Sequence, residues 1–187
     1  MKSPYWYVFL IASLAFLNSC EQLPEPTATG KQTFGCRVNG KLWRPKGRAY
    51  PAGPKGPVYV YNESGTPNES IYIEAFLGTE SIILYLDVPV LGKGPYVLNQ
   101  PAFFPTRREI SYAEFASVQE QVSSGQINYS TDSYLTDSLR TGEIVLTRMD
   151  RNAGVMSGSF SFMGYDKNTG KTVEVTDGRF DLNYTPR

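Results

Sequence analysis

The feature that most constrains the fold of this chain is the period of two in its last third. Between Gly142 and Arg148, Ile144 and Leu146 alternate with Glu143, Val145 and Thr147. Between Met156 and Tyr165, Phe160 and Phe162 alternate with Ser159 and Ser161. Successive side chains of a strand point to opposite faces, so this pattern puts one face in a core and the other in water. Val173 and Val175 continue it, and Phe180, Leu182 and Tyr184 oppose Arg179, Asp181 and Asn183. Turn signals separate the runs at 150–154, at Lys167-Asn168-Thr169-Gly170 and at Asp177-Gly178, the last read as a reversal of the chain.

The same grammar holds from Thr33 onward. Phe34 to Val38, then Asn39-Gly40, then Lys41 to Trp43 reads as a hairpin, because Asn-Gly tolerates positive φ at both central turn positions. Residues 44–57 are rich in Pro and Gly and read as a loop. Strands are expected at Val58 to Tyr61, Ser70 to Leu77, Ser81 to Val88 and Gly94 to Leu98, with Gly78-Thr79 as a tight turn. Residues 99–125 allow a strand at Ile110 to Phe115 or a helical turn through Ala113 to Val122, and the strand is the reading kept; Ile127 to Thr131 reads as extended. Clean polar alternation fits antiparallel sheets with one wet face. The expected fold is all-β, an antiparallel β-sandwich or barrel-like domain of about 8–10 strands.

Ahead of this domain lies a different kind of sequence. Residues 1–20 read MKSPYWYVFLIASLAFLNSC, with Lys2 before an apolar run from Tyr5 to Leu17. That run is shorter than the ~20 apolar residues of a membrane-spanning helix and has the length of a signal-peptide core. Leu17-Asn18-Ser19-Cys20 resembles a lipobox, where a peptidase cuts just before a cysteine that receives lipid. The expected division is a lipoprotein signal peptide at 1–19, a lipidated Cys20 with a flexible tether at 20–32, and a single β domain at 33–187. Glu21 to Gln32 is rich in Pro, Thr and Glu, and twelve free residues have an r.m.s. reach of ~20 Å. Diacylglyceryl and amide-linked acyl chains, palmitate among them, anchor stably at ~0.8 kcal/mol per buried CH₂. The partner implied is a membrane, in the cell envelope and on the outer rather than the inner membrane.

Charge and composition narrow the chemistry. The chain carries 18 Lys and Arg against 18 Asp and Glu, with no basic stripe to attract a nucleic-acid backbone. It has no His, which removes the commonest general base and metal ligand. Cys36 has no disulfide partner once Cys20 is lipidated, and without a nearby base it reads as a small buried residue on the first strand. Asp166-Lys167-Asn168-Thr169-Gly170 starts like a calcium loop but lacks the closing Glu, so it reads as a turn. No metal and no cofactor are expected.

The segment TFGCRVNGKLWRP at 33–45 resembles the opening of a family of uncharacterised bacterial lipoproteins from Gram-negative gut and environmental bacteria. The likeness extends to Gly158-Ser159-Phe160-Ser161-Phe162 and to Thr176-Asp177-Gly178-Arg179-Phe180-Asp181. It implies an exported all-β domain and supplies no activity.

Candidate ligand-binding residues are aromatic. Phe103 and Phe104 stand between prolines in a loop, where simple alternation cannot bury both. Trp43 at the end of the hairpin, and Tyr129 and Tyr134 near Asp132, are weaker candidates of the same kind. Glu74, Asp87, Glu143 and Glu174 read as solvated strand faces rather than a hydrolytic pair. Asp137-Ser138-Leu139 has the form of a short O-glycosylation acceptor. The expected role is a non-enzymatic binding or accessory module for a glycan, a peptide or a protein; a carboxylate-dependent envelope hydrolase and a structural envelope component are the alternatives. Cys20→Ala is expected to abolish processing and metabolic lipid labelling, and a variant still processed and labelled would refute the lipobox.

Overall fold

The structure, a computed structural model, describes residues 22–48, 56–64, 69–100, 111–123 and 125–185. The described residues form strands and turns, with no helix. The strands are β1 (Thr33–Val38), β2 (Lys41–Trp43), β3 (Val58–Ser64), β4 (Glu69–Leu77), β5 (Glu80–Val88) and β6 (Gly94–Leu98). They continue as β7 (Tyr112–Ser123), β8 (Gln126–Leu135), β9 (Gly142–Asp150), β10 (Val155–Tyr165) and β11 (Thr172–Asn183).

All eleven belong to one antiparallel sheet in the order β2-β1-β11-β10-β8-β7-β5-β4-β3, with β9 also on β10 and β6 on β9. The sheet forks at β10. Its first part, Val155 to Phe162, pairs with β9, whereas Tyr165 alone pairs with Leu135 of β8. Two wings result, one of β1, β2, β6, β9, β10 and β11, the other of β3, β4, β5, β7 and β8. Their inward rows share one core that includes Phe34, Ile73, Leu84, Phe115, Ile144, Phe160 and Phe180. The arrangement is sandwich-like, and the sheet does not close into a barrel.

Polar contacts tie the wings together at their ends. The Trp43 indole N–H donates to Glu80 of β5 at 2.7 Å. The backbone N–H groups of Lys46 and Gly47 donate to the Phe76 carbonyl at 2.9 Å, and Gly78 N–H donates to Gly47. Arg151, in the turn after β9, pairs with Glu69 of β4 at 2.5 Å and donates to the Leu91 carbonyl at 2.7 Å. Hydrogen bonds to charged groups are worth ~1.5–3 kcal/mol where solvent is excluded.

The Asn39-Gly40 hairpin forms as expected, with φ of 49° and 77° at the two turn residues. Residues 112–123 are a single strand and not a helical turn. Ala, Glu and Gln favour helix locally, but ladders to β5 and β8 override that preference. Asp177-Gly178 does not reverse the chain. Two residues of β11 oppose one of β1 between Gly35 and Arg37, and one of β10 between Phe160 and Phe162. This is a β-bulge, with Asp177 at φ 54°. It explains the parity of the sequence, since Val173 and Val175 face inward before it and Phe180 and Leu182 after it. Merging two expected strands into one still leaves eleven, slightly more than the pattern implied.

Part of the stretch read as a free tether is bound to the first wing. Asp181 is 1% exposed although it faces away from the core, because residues 27–31 close over it. Its carboxylate accepts from Thr27 Oγ1 at 2.6 Å, from the N–H groups of Thr29, Gly30 and Lys31 at 3.0, 2.7 and 3.2 Å, and from Ser157 Oγ at 2.8 Å. Upstream, the Pro24 carbonyl accepts from Arg179, and the Pro24 ring sits where a Cβ on Gly35 would stand, 2.7 Å from its Cδ. The reach calculated for twelve free residues therefore overstates the slack.

Burial opposes ionisation of Asp181, but the donors from Thr27, Gly30, Thr29 and Ser157 outweigh it and hold the carboxyl well below the usual range. Asp181→Asn is expected to lower unfolding stability at pH 7 by about 2–4 kcal/mol in urea titrations, since an amide N–H₂ would confront those donors. A depressed folded pKa means the contribution is complete above the unfolded value of ~3.9 and fades as pH falls below it. The gap between wild type and variant should thus stay constant from pH 5 to 8 and narrow in acid, and an unchanged midpoint at pH 7 would disprove the clasp.

Candidate functional site

The outer face of the second wing carries a row of four tyrosines. Tyr61 of β3 pairs with Tyr72 of β4, Tyr72 with Tyr85 of β5, and Tyr85 with Tyr112 of β7. Strict alternation places them there: Ile71, Ile73, Leu84, Leu86 and Ala113, their neighbours in sequence, are buried in the core. Consecutive ring centroids lie 6.0, 6.4 and 5.4 Å apart, in tilted and edge-on geometries. Tyr61, at the end of the row, is 49% exposed, and the other three are partly buried.

Acids flank the stripe. The next row across the sheet reads Tyr59, Glu74, Ile83 and Glu114, and on the other side Ser70 stands opposite Asp87. Glu114 accepts a hydrogen bond from Ser133 of β8 at 2.5 Å, which fixes its carboxylate on the sheet. Burial, then the charges of Glu74 and Glu114, raises the Tyr72 hydroxyl pKa. Tyr112 is pushed up to about 12 by burial and then by Glu114 and Glu74. Both remain neutral hydroxyls, able to donate and accept, throughout the physiological pH range. The site thus offers ring surface, hydroxyls and negative charge on one flat sheet face.

The residues singled out from sequence lie elsewhere. Trp43 is 3% exposed, packed edge-on against Phe34 at 6.2 Å, so it is a core residue and no part of an exposed aromatic surface. Tyr129 and Tyr134 point to opposite faces of β8. Tyr134 turns inward against Phe115 at 6.0 Å, whereas Tyr129 is 40% exposed on the part of the β7–β8 hairpin that extends past both neighbouring strands. Cys20, Phe103 and Phe104 lie outside the described residues. Ser138 is exposed in the bend between β8 and β9, beside Leu139 at 82% exposure.

Asp166 closes its own turn, accepting from Asn168 N–H and Thr169 Oγ1 at 2.8 Å each. No group of three metal-ligating side chains occurs among the described residues. No helix long and apolar enough to cross a membrane occurs among the described residues. A shallow groove of about 250 Å³ runs between the Thr27 strap and β11, lined by Thr27, Thr147, Ser159 and Arg179 among others. Its lining includes two carboxylates, Glu25 and Asp181, the second already taken up by the donors of residues 27–31 and Ser157.

The stripe lies within the part of the chain that has known relatives. A family described as a domain of unknown function, DUF6252, matches residues 60–181, well over half of the sequence. The chain belongs to the DUF6252 family. The match takes in all four stripe tyrosines, Glu74, Asp87 and Glu114, and ends on Asp181, while β1 and β2 precede it. No curated protein matches the chain. No solved structure matches it either.

Cys36 is free, fully buried and flanked by Phe34 and Trp43 in the core. Burial, reinforced by Glu80, pushes its thiol up to about 12. Ellman's reagent at pH 8 is expected to leave Cys36 unmodified in the folded domain and to titrate it fully in denaturant. Rapid reaction of the native protein would contradict this burial.

Proposed function

We propose that this DUF6252 member is a lipid-anchored protein of the cell envelope whose β domain is a non-enzymatic binding module, with the tyrosine stripe as its ligand-facing surface. The leader and Cys20 supply the anchor, on the outer membrane, and the domain presents the stripe to the surrounding space. The observation that carries the reading is the register of Tyr61, Tyr72, Tyr85 and Tyr112 across four strands. Cross-strand aromatic pairs stabilise a sheet by ~0.2–1 kcal/mol each wherever they occur. Four in one row on a wet face, bordered by carboxylates, additionally form a rigid, amphipathic contact surface of the kind that recognition sites use.

Span supports an extended ligand. Neighbouring strands are ~4.8 Å apart, so four rings cover ~14 Å, the length of about four residues of extended peptide or of three sugar rings. Ring faces suit stacking, and the neutral hydroxyls and nearby acids suit polar orientation of the guest.

Tyr72→Ala combined with Tyr85→Ala is expected to abolish capture of a ligand found by screening glycan and peptide arrays with the mature chain. Retention of the far-UV β spectrum would show that the sheet survives. Binding unaffected by the double variant would remove the stripe from the ligand surface.

A further inference from the structure

The path of the sheet ends at β2 and β3, its branch ends at β6, and the fork at β10 leaves a fourth edge along β8. A strand edge presents backbone N–H and C=O groups that template pairing with another chain, and monomers blunt it with short strands, Lys, Pro or bulges. β2 has three residues and begins at Lys41, β6 has five and carries Pro95, and β3 has seven. β8 is the longest of the four, at ten residues, and contains no Lys, Arg or Pro. Its register with β7 runs from Gln126 to Leu135 without a bulge. On the opposite side its ladder to β10 is a single pair, Leu135 with Tyr165.

The direction of the edge groups follows from one hydrogen bond. The Val118 N–H donates to the Thr79 carbonyl, on the side of β7 away from β8. Thr131 stands opposite Val118, so in an antiparallel ladder it turns its own N–H and C=O away from β7. Every second residue does the same, and Ile127, Thr131 and Ser133 therefore aim at the open edge.

This part of the sheet is also thin. β5 leaves β7 at Ser117, so residues 118–123 and 126–131 continue as a two-stranded ribbon. Val122 and Ile127, opposite each other on it, are 70% and 54% exposed, so the fold itself does not cover them. A two-stranded hairpin is marginal alone in water, and further strands stabilise it.

The partner that this edge fits is an extended strand, and its charge pattern matches β8 itself. A two-fold axis at Ser130 sets Ile127 opposite Ser133 in the second copy, both with backbone groups aimed at the seam. The same axis sets Asp132, the single charged residue of β8, opposite Asn128. No like charges then face each other across the seam, whereas like charges directly opposite destabilise a strand pair. Ser133 also lines a groove of about 200 Å³ with Asp166, Lys167 and Asn168, which gives the tip of the second ribbon room to lie. Such a contact is isologous, so it closes at two copies and uses the open edge of each.

We propose that the chain forms a two-fold dimer in which β8 pairs antiparallel with β8 of a second copy, joining the two β7–β8 ribbons into one four-stranded sheet. The assignment goes beyond the binding-module reading and does not depend on it.

The test is analytical ultracentrifugation of residues 21–187, which keep every strand and the Asp181 clasp, from about 1 to 200 µM. The expected result is a monomer–dimer equilibrium that saturates at the dimer. Thr131→Pro removes an N–H on the open edge and none from the ladder to β7, so it should raise the dissociation constant about tenfold or more. Ser130→Lys sets two ammonium groups face to face across the axis and should weaken the dimer about tenfold, an effect that added salt reduces. Far-UV spectra check that both variants keep the sheet. Ser130→Cys is expected to give a covalent dimer under mild oxidation, since the two cysteines would meet at the axis while Cys36 is buried.

Three results would overturn the assignment: a wild-type chain that stays monomeric at the highest concentration, a dimer of equal strength in the folded Thr131→Pro and Ser130→Lys variants, or association that grows past two copies without saturating. None of them touches the tyrosine stripe, which the array screen decides separately.

Discussion

The structure depends on a geometric constraint at β10. A sheet this broad can dry one face only by folding over on itself, and β10 is the strand at which its path divides. β10 remains paired with β11 along its whole length, while its other edge is shared between β9 and, at Tyr165 alone, β8. Close backbone approach is needed at that corner. Gly164 supplies it, since a Cβ there would stand 2.6 Å from the Tyr134 carbonyl oxygen. Gly158 does the same further along, where a Cβ would meet the Val145 carbonyl at 2.3 Å and the Phe180 ring at 2.7 Å. The apolar faces of the two wings then meet in one core, and their opposite faces are left with different surroundings.

Those surroundings diverge. The outer face of the first wing is partly covered by the chain's own residues 24–31, gathered onto Asp181 and Arg179. An anion receiving several N–H and O–H donors is held more firmly than a row of apolar contacts could hold so polar a segment. Arg148 adds a donor to the Ala28 carbonyl from β9. The start of the folded unit is therefore fixed to one face, and the tyrosines lie on the outer side of the other wing. If lipid occupies Cys20, the clasp limits how far the first wing can move from the anchor.

Much of this architecture was legible because period two is a local property. The β4–β5 hairpin was readable from Ile71, Ile73 and Ala75 against Ile82, Leu84 and Leu86, and the Asn39-Gly40 turn from its two residues. Bulges are harder. The parity change from Val175 to Phe180 was visible, but a reversal at Asp177-Gly178 explains it as well as an inserted residue, and only pairing with β1 and β10 separates the two. Burial of Trp43 depended on Glu80, thirty-seven positions away, accepting its N–H. The opposed directions of Tyr129 and Tyr134 were available from alternation alone, and proximity in sequence was the wrong guide. The stripe was half available: a two-residue turn at Gly78-Thr79 fixes the register that sets Tyr72 opposite Tyr85. The Tyr85–Tyr112 pair was not, because the chain leaves the wing to build β6 before returning as β7.

A row of tyrosines can be explained by sheet stability alone, and the charge pattern is what argues for more. Cross-strand packing on a wet face is satisfied equally by Thr, Val or mixed aromatic pairs, and it gives no reason to exclude bases from five consecutive partners. Surface strands usually intersperse both signs, because like charges on adjacent strands repel. Here the five strands of the second wing carry eight carboxylates and no base. Carboxylates gathered beside four rings and their neutral hydroxyls give this flat face the mixed apolar and polar character of a recognition surface, and this is the physical ground for reading the stripe as a place of encounter rather than only a seam of packing.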